Sequence, residues 1–80
     1  MKIRKDVFLE KLEEYGYQYK ENLFFPTYQK IRTFGNKTII IEIFIHNRQI
    51  FIAKSSHITE KNKRFIQDLI DNHWIEKEKV

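Results

Sequence analysis

The chain has no cysteine, which excludes disulfides, a thiolate nucleophile and any thiolate-ligated metal, and which fits a reducing compartment. Its two glycines, Gly16 and Gly35, stand far apart, so no glycine-rich loop is present to cradle a phosphate. Pro26 is the single proline, and no proline-rich linker or repeat interrupts the sequence. Long apolar runs are missing too. The first twenty residues are crowded with charge, no secretory or membrane-spanning segment is expected, and a cytoplasmic location is the reading that follows. His46, His57 and His73 lack the spacing of a preformed metal site, so neither a metal nor another cofactor is expected.

What is present is a chain of 80 residues with 41% apolar content, enough for one small core and hence one domain over residues 1–80. Its net charge of +4 is unevenly spread. Residues 1–21 balance five basic against five acidic groups, and residues 65–80 carry two against four. The middle of the chain holds the excess, eight basic residues against only Glu42 and Glu60, a density that favours an anionic partner. The candidate nucleic-acid or anion-binding residues are Lys30, Arg32, Arg48, Lys54, Lys61, Lys63 and Arg64, with an ordinary solvated surface as the alternative.

Period and punctuation give the architecture. Asp6 can cap a helix over residues 6–15 in which Phe8, Leu12 and Tyr15 share a face, and Gly16 stands where a left-handed cap is wanted. Tyr17 to Lys20 alternates as a short strand, Phe24 to Phe34 reads as another with Pro26 at its start or on an edge, and Thr38 to His46 is the clearest of all. Gly35-Asn36-Lys37 and Asn47-Arg48 mark hairpin loops. A second helix is expected from Thr59 to about His73, with Phe65, Ile66, Leu69 and Ile70 as its apolar stripe. The fold class is therefore α+β, in the order α-β-β-β(-β)-α, an antiparallel sheet with two helices packed on one face.

Side chains suggest a register. A two-residue Gly-Asn loop puts Lys30 and Arg32 among isoleucines, and burying unpaired charge costs roughly several kcal/mol, so a three-residue loop pairing Phe34 with Thr38 is preferred. Ile31 then joins Ile39, Ile41, Ile43, Ile45, Ile50 and Ile52 on the helix-covered face. The other face receives a Tyr28, Phe44 and Phe51 row, with Lys30 paired to Glu42 beside it. Such a row can stack bases or contact a partner protein, and burial by another part of the chain or a second subunit is the alternative. At the second helix, Lys61, Lys63 and Arg64 sit at the positive end and Asp68 and Asp71 further along, reversing the usual preference.

The layout resembles double-stranded-RNA-binding domains, where the start of the last helix meets phosphates, which implies that role for Lys61, Lys63 and Arg64. It also resembles HicA-type toxins, small ribonucleases whose first helix ends in a pattern similar to Leu12-Glu13-Glu14-Tyr15-Gly16-Tyr17. That family carries Gly-Ser-His on its second strand, where this chain has Phe25-Pro26-Thr27-Tyr28. Size and composition are similar to small proteins of phages and mobile elements of low-GC bacteria, many of which block a host or defence complex. Three functions follow as expectations: a non-enzymatic module binding nucleic acid or a nucleic-acid-handling complex; a phage-type inhibitor or homodimer acting through the aromatic face; and a HicA-like ribonuclease using His46 or His57.

Overall fold

The computed structural model describes residues 1–21, 24–52 and 63–76. Its first helix is a 3-10 helix, Leu9–Tyr15, rather than an α-helix from Asp6. The Asp6 carboxylate is engaged elsewhere, accepting from Arg4 Nε at 3.0 Å and Nη2 at 2.6 Å, and Phe8 occupies the N-cap without a side-chain bond. Three residues per turn places positions 9, 12 and 15 on one side. Leu9 and Leu12 are accordingly buried and Tyr15 packs at the margin, whereas Phe8, assigned to the apolar face by an α-helical period, is 72% exposed. Gly16 closes the helix as expected, with φ 89° and its N–H on Glu13 O, while Tyr17 N–H reaches Leu12 O.

Four strands follow as an antiparallel meander: β1 (Gln18–Lys20), β2 (Thr27–Phe34), β3 (Lys37–Phe44) and β4 (Ile50–Ile52). Pro26 lies directly ahead of β2, where its missing N–H disturbs no ladder. The β2–β3 loop has two residues, Gly35 and Asn36, and pairs Phe34 with Lys37. Gly35 supplies φ 59° at the first central position, which lets a two-residue turn follow the strand twist. The expected three-residue loop is thus corrected, and because side chains alternate, one residue of slip turns all of β2 over. Lys30 stands opposite Ile41 and Arg32 opposite Ile39, facing the helices, while Ile31 stands opposite Ile40 on the other face and is 60% exposed.

The β3–β4 connection also differs from expectation, with the opposite consequence. Four residues, 45–48, lie between Phe44 and Gln49, which are joined by a backbone hydrogen bond, so Ile43 pairs with Ile50 and Ile41 with Ile52, instead of Ile45 with Ile50 and Ile43 with Ile52. Two residues of slip keep every side chain on its expected face. Beyond β4, Lys2 bridges to Gln49 and Ile3 to Ile75, so that the N-terminal segment lies between β4 and residues 74–76.

Within the described residues the second helix is already helical at Lys63, passes through a 3-10 turn, Arg64–Ile66, and continues as an α-helix, Gln67–Asp71; its expected start at Thr59 lies outside them. Phe65, Ile66 and Leu69 are buried, as the apolar stripe requires, with Ile70 packed alongside. His73, at φ 59°, ends it with the hydrogen-bond pattern seen at Gly16: His73 N–H to Ile70 O and Trp74 N–H to Leu69 O. Trp74 turns back to meet Tyr15 edge-on, ring centroids 5.2 Å apart. The core joins Ile3, Val7, Leu9, Leu12, Tyr17 and Tyr28 to Ile41, Ile43, Ile50, Ile52 and the second-helix residues.

Candidate functional site

The register decides what each sequence-predicted site residue can do. Lys30 Nζ lies 3.1 Å from Asp68 Oδ2 and 5.1 Å from the centre of the Tyr17 ring, so its carboxylate partner is Asp68 rather than the expected Glu42. Arg32 donates through Nη1 to Phe65 O at 2.9 Å. Arg48 donates through Nη1 to Arg4 O at 2.8 Å and Val7 O at 2.6 Å. Each of these three cations is thus tied into the fold. Lys63 is half-buried and Arg64 exposed, with the Arg64 guanidinium 5.0 Å from the Phe65 ring centre. Lys54, Lys61 and His57 lie outside the described residues.

A polar cluster therefore occupies the seam between sheet and second helix. Lys30 and Asp68 retain only 22% and 18% side-chain exposure. Asp68 uses its other oxygen to accept from Leu69 N–H at 2.9 Å. Tyr17 is buried beside them, and its hydroxyl has no hydrogen-bond partner among the described residues. Burial first, and then the negative charge of Asp68, push its pKa well above the ordinary 10.0. Tyr15 Oη donates to Asn72 Oδ1 at 3.1 Å, tying the two helices together nearby. These contacts satisfy the charges of Lys30 and Asp68 within the fold.

The expected Tyr28, Phe44 and Phe51 row is broken by the same turn of β2. Tyr28 is buried on the helix side opposite Ile43, with Tyr19 edge-on at 5.9 Å. Phe44 stands opposite Thr27, and Phe51 opposite Glu42. What the uncovered face carries instead is Ile31 beside Ile40, Glu42 between Gln29 and Phe51, and Phe44 at one end. Phe51 is 43% exposed. Beyond Phe44 a group of rings gathers, with Phe25 to His46 at 5.1 Å, Phe25 to Phe44 at 6.3 Å and Phe44 to His46 at 6.0 Å. Only two described side chains on this face carry charge, Lys20 on β1 and Glu42 on β3, and Glu42 has no ion-pair partner among the described residues.

Among the described residues, no group of three or more His, Asp or Glu side chains is placed to hold a metal, and no helix is long and apolar enough to cross a membrane. The sequence reading missed Asp68 as the partner of Lys30 and missed Lys2 and Lys5 as surface features. A charged residue alternating into an apolar strand face was the available signal for the first, since such a residue requires a counter-charge from the element packed above it. No family model, curated protein or solved structure matches the chain.

Proposed function

We propose that this chain is a small non-enzymatic binding module that works by protein contact through its open sheet face, and that a second copy of the chain occupies that face. The observation carrying this reading is the exposure of Ile31 at 60% and Phe51 at 43% on a sheet face with so few charges. Exposed large apolar side chains gathered on one sheet face are the kind of surface that contact sites use. Self-pairing is favoured by the charges. An isologous interface must be complementary to itself. Lys20 and Glu42 lie on the same face two strands apart, in adjacent cross-strand rows, so a twofold axis between them brings each lysine to the other copy's glutamate.

Sedimentation tests this directly. The wild-type chain, 9.9 kDa as a monomer, is expected to sediment near twice that mass at concentrations on the order of tens of micromolar, and Ile31→Lys to sediment as a folded monomer. Lys20→Glu and Glu42→Lys should each weaken the dimer, and the two together should restore it. A wild-type monomer under these conditions, or no recovery in the double variant, overturns the assignment.

Nucleic acid is the second reading, favoured by the basic excess of residues 22–64 and by Lys2 and Lys5 on the described surface. Gel shifts with single-stranded and duplex RNA and DNA at two salt concentrations are expected to show retention that weakens steeply with salt, because bound lysines and arginines displace counterions. Absence of retention at low salt removes this partner.

A further inference from the structure

The β3–β4 loop and the N-terminal segment enclose an open depression of 390 Å³, lined by Lys2, Lys5, His46, Asn47, Arg48 and Glu76. Two segments far apart in sequence converge there, and backbone bonds fix both. Ile3 N–H donates to Arg48 O at 3.0 Å, Ile50 N–H to Met1 O at 2.9 Å, and Glu76 N–H to Lys2 O at 2.8 Å. Arg48 itself adopts φ 61°, a left-handed conformation uncommon for a residue with a side chain and frequent where geometry serves a purpose.

The Arg48 guanidinium donates to the carbonyls of Arg4 and Val7, which take both hydrogens of Nη1. An arginine has five N–H donors. The remaining three, on Nε and Nη2, have no partner among the described residues, yet the group that bears them is pinned. A guanidinium held this way offers a planar fork matched to two oxygens of a phosphoryl group, at little further entropic cost. Asn47 adds a donor: its Oδ1 accepts from Gln49 N–H at 2.9 Å, leaving the amide NH₂ uncommitted among the described residues. Neither the Lys2 nor the Lys5 ammonium has a carboxylate within ion-pair distance among the described residues. Glu76 is the one opposing charge in the lining.

We propose that this depression binds a phosphoryl-class dianion, with Arg48 as the fixed fork and Lys2, Lys5 and Asn47 closing around it. The site shares the cation excess behind the nucleic-acid reading but requires no polymer, and it is independent of what covers the open sheet face. His46 joins it to the Phe25 and Phe44 rings, so a phosphate carrying a base has an aromatic surface within reach.

The test is an NMR titration of the full chain with inorganic phosphate, a nucleoside monophosphate and a short single-stranded oligonucleotide, following the Arg48 Nε–H and the Asn47 side-chain amide. Saturable shifts at both groups are expected, with a Kd on the order of millimolar for phosphate. Lys2→Gln with Lys5→Gln should weaken binding about tenfold through loss of two charge-assisted contacts, and Glu76→Gln should tighten it severalfold. These exposed positions leave the core intact, whereas Arg48→Gln also removes the ties to Arg4 and Val7. Equal responses to all three probes identify a free-anion site, and added shifts at Phe25 and His46 with the nucleotide or oligonucleotide identify a nucleic-acid phosphate; both uphold the site. Phosphate binding without retention of any oligonucleotide upholds it while removing the polymer. Absence of saturable shifts at Arg48 Nε–H with every probe, or affinity unchanged in the double lysine variant, overturns it.

Discussion

Replacing Asp68 by alanine is expected to destabilise the fold by about 2–3 kcal/mol, somewhat below the roughly 3–5 kcal/mol typical of breaking a fully buried ion pair because both partners keep some access to water. The cause is what remains. Lys30 projects from β2 opposite Ile41, which is 0% exposed, and over the Tyr17 ring, and without Asp68 its ammonium loses the one carboxylate within ion-pair distance among the described residues. Leu69 N–H loses an acceptor as well. Lys30→Met combined with Asp68→Leu should recover most of the loss, since an apolar pair of similar volume replaces a costly ionic one. Urea unfolding of the three variants provides the measurement, and an Asp68→Ala change below about 0.5 kcal/mol would show the pair to be ornamental. Tyr17 links the cluster to pH. Its folded pKa is raised above the 10.0 of the unfolded chain, so its contribution is complete below pH 10 and is lost as pH rises above that value. Asp68→Ala should soften this alkaline loss without abolishing it, because burial is the larger cause.

Much of the architecture was legible because local signals agreed with the global fold. Gly16 ended the first helix, Pro26 preceded β2, both hairpin loops fell where polar and glycine residues cluster, and Phe65, Ile66 and Leu69 were buried. The α+β class and the four-stranded antiparallel sheet follow from those signals. The first hairpin was misread for a definite reason. Unpaired burial of Lys30 and Arg32 was weighed as prohibitive, yet the groups that satisfy them, Asp68 and the Phe65 carbonyl, lie 38 and 33 residues further on. Strand alternation carries no record of so distant a partner. Odd and even slips then had unequal consequences: the two-residue error at the second hairpin left Phe44 and Phe51 on the open face, while the single-residue error at the first exchanged Ile31 with Lys30 and Arg32. The N-terminal segment escaped notice because three residues are too few to show a period, although Ile3 is among the most buried side chains. For the candidate site, the open face was anticipated but its apolar content was assigned to the wrong β2 residues, and Arg48 was singled out for its charge without Lys2 and Lys5, which line the same depression.

Ile31 and Ile41 provide the sharpest test of this register. Ile41→Ala is expected to cost about 3 kcal/mol, the transfer free energy of the lost methyl groups plus the cavity they leave in the core that Ile41 shares with Leu12, Ile52 and Leu69. In a domain of this size that lowers Tm by roughly 15 °C. Ile31→Ala, on the open face, should change monomer stability by less than about 0.5 kcal/mol. The three-residue loop would place both isoleucines side by side under the helices and make the two costs alike, so thermal unfolding of the pair separates the registers. Concentration distinguishes a second effect. If the open face pairs two copies, Ile31→Ala should lower Tm more as protein concentration rises, by mass action, whereas the Ile41→Ala loss persists at the lowest concentration measured. Equal losses at every concentration would mean that β2 is turned the other way, returning Lys30 and Arg32 to the open face and removing the physical basis of the Asp68 pairing.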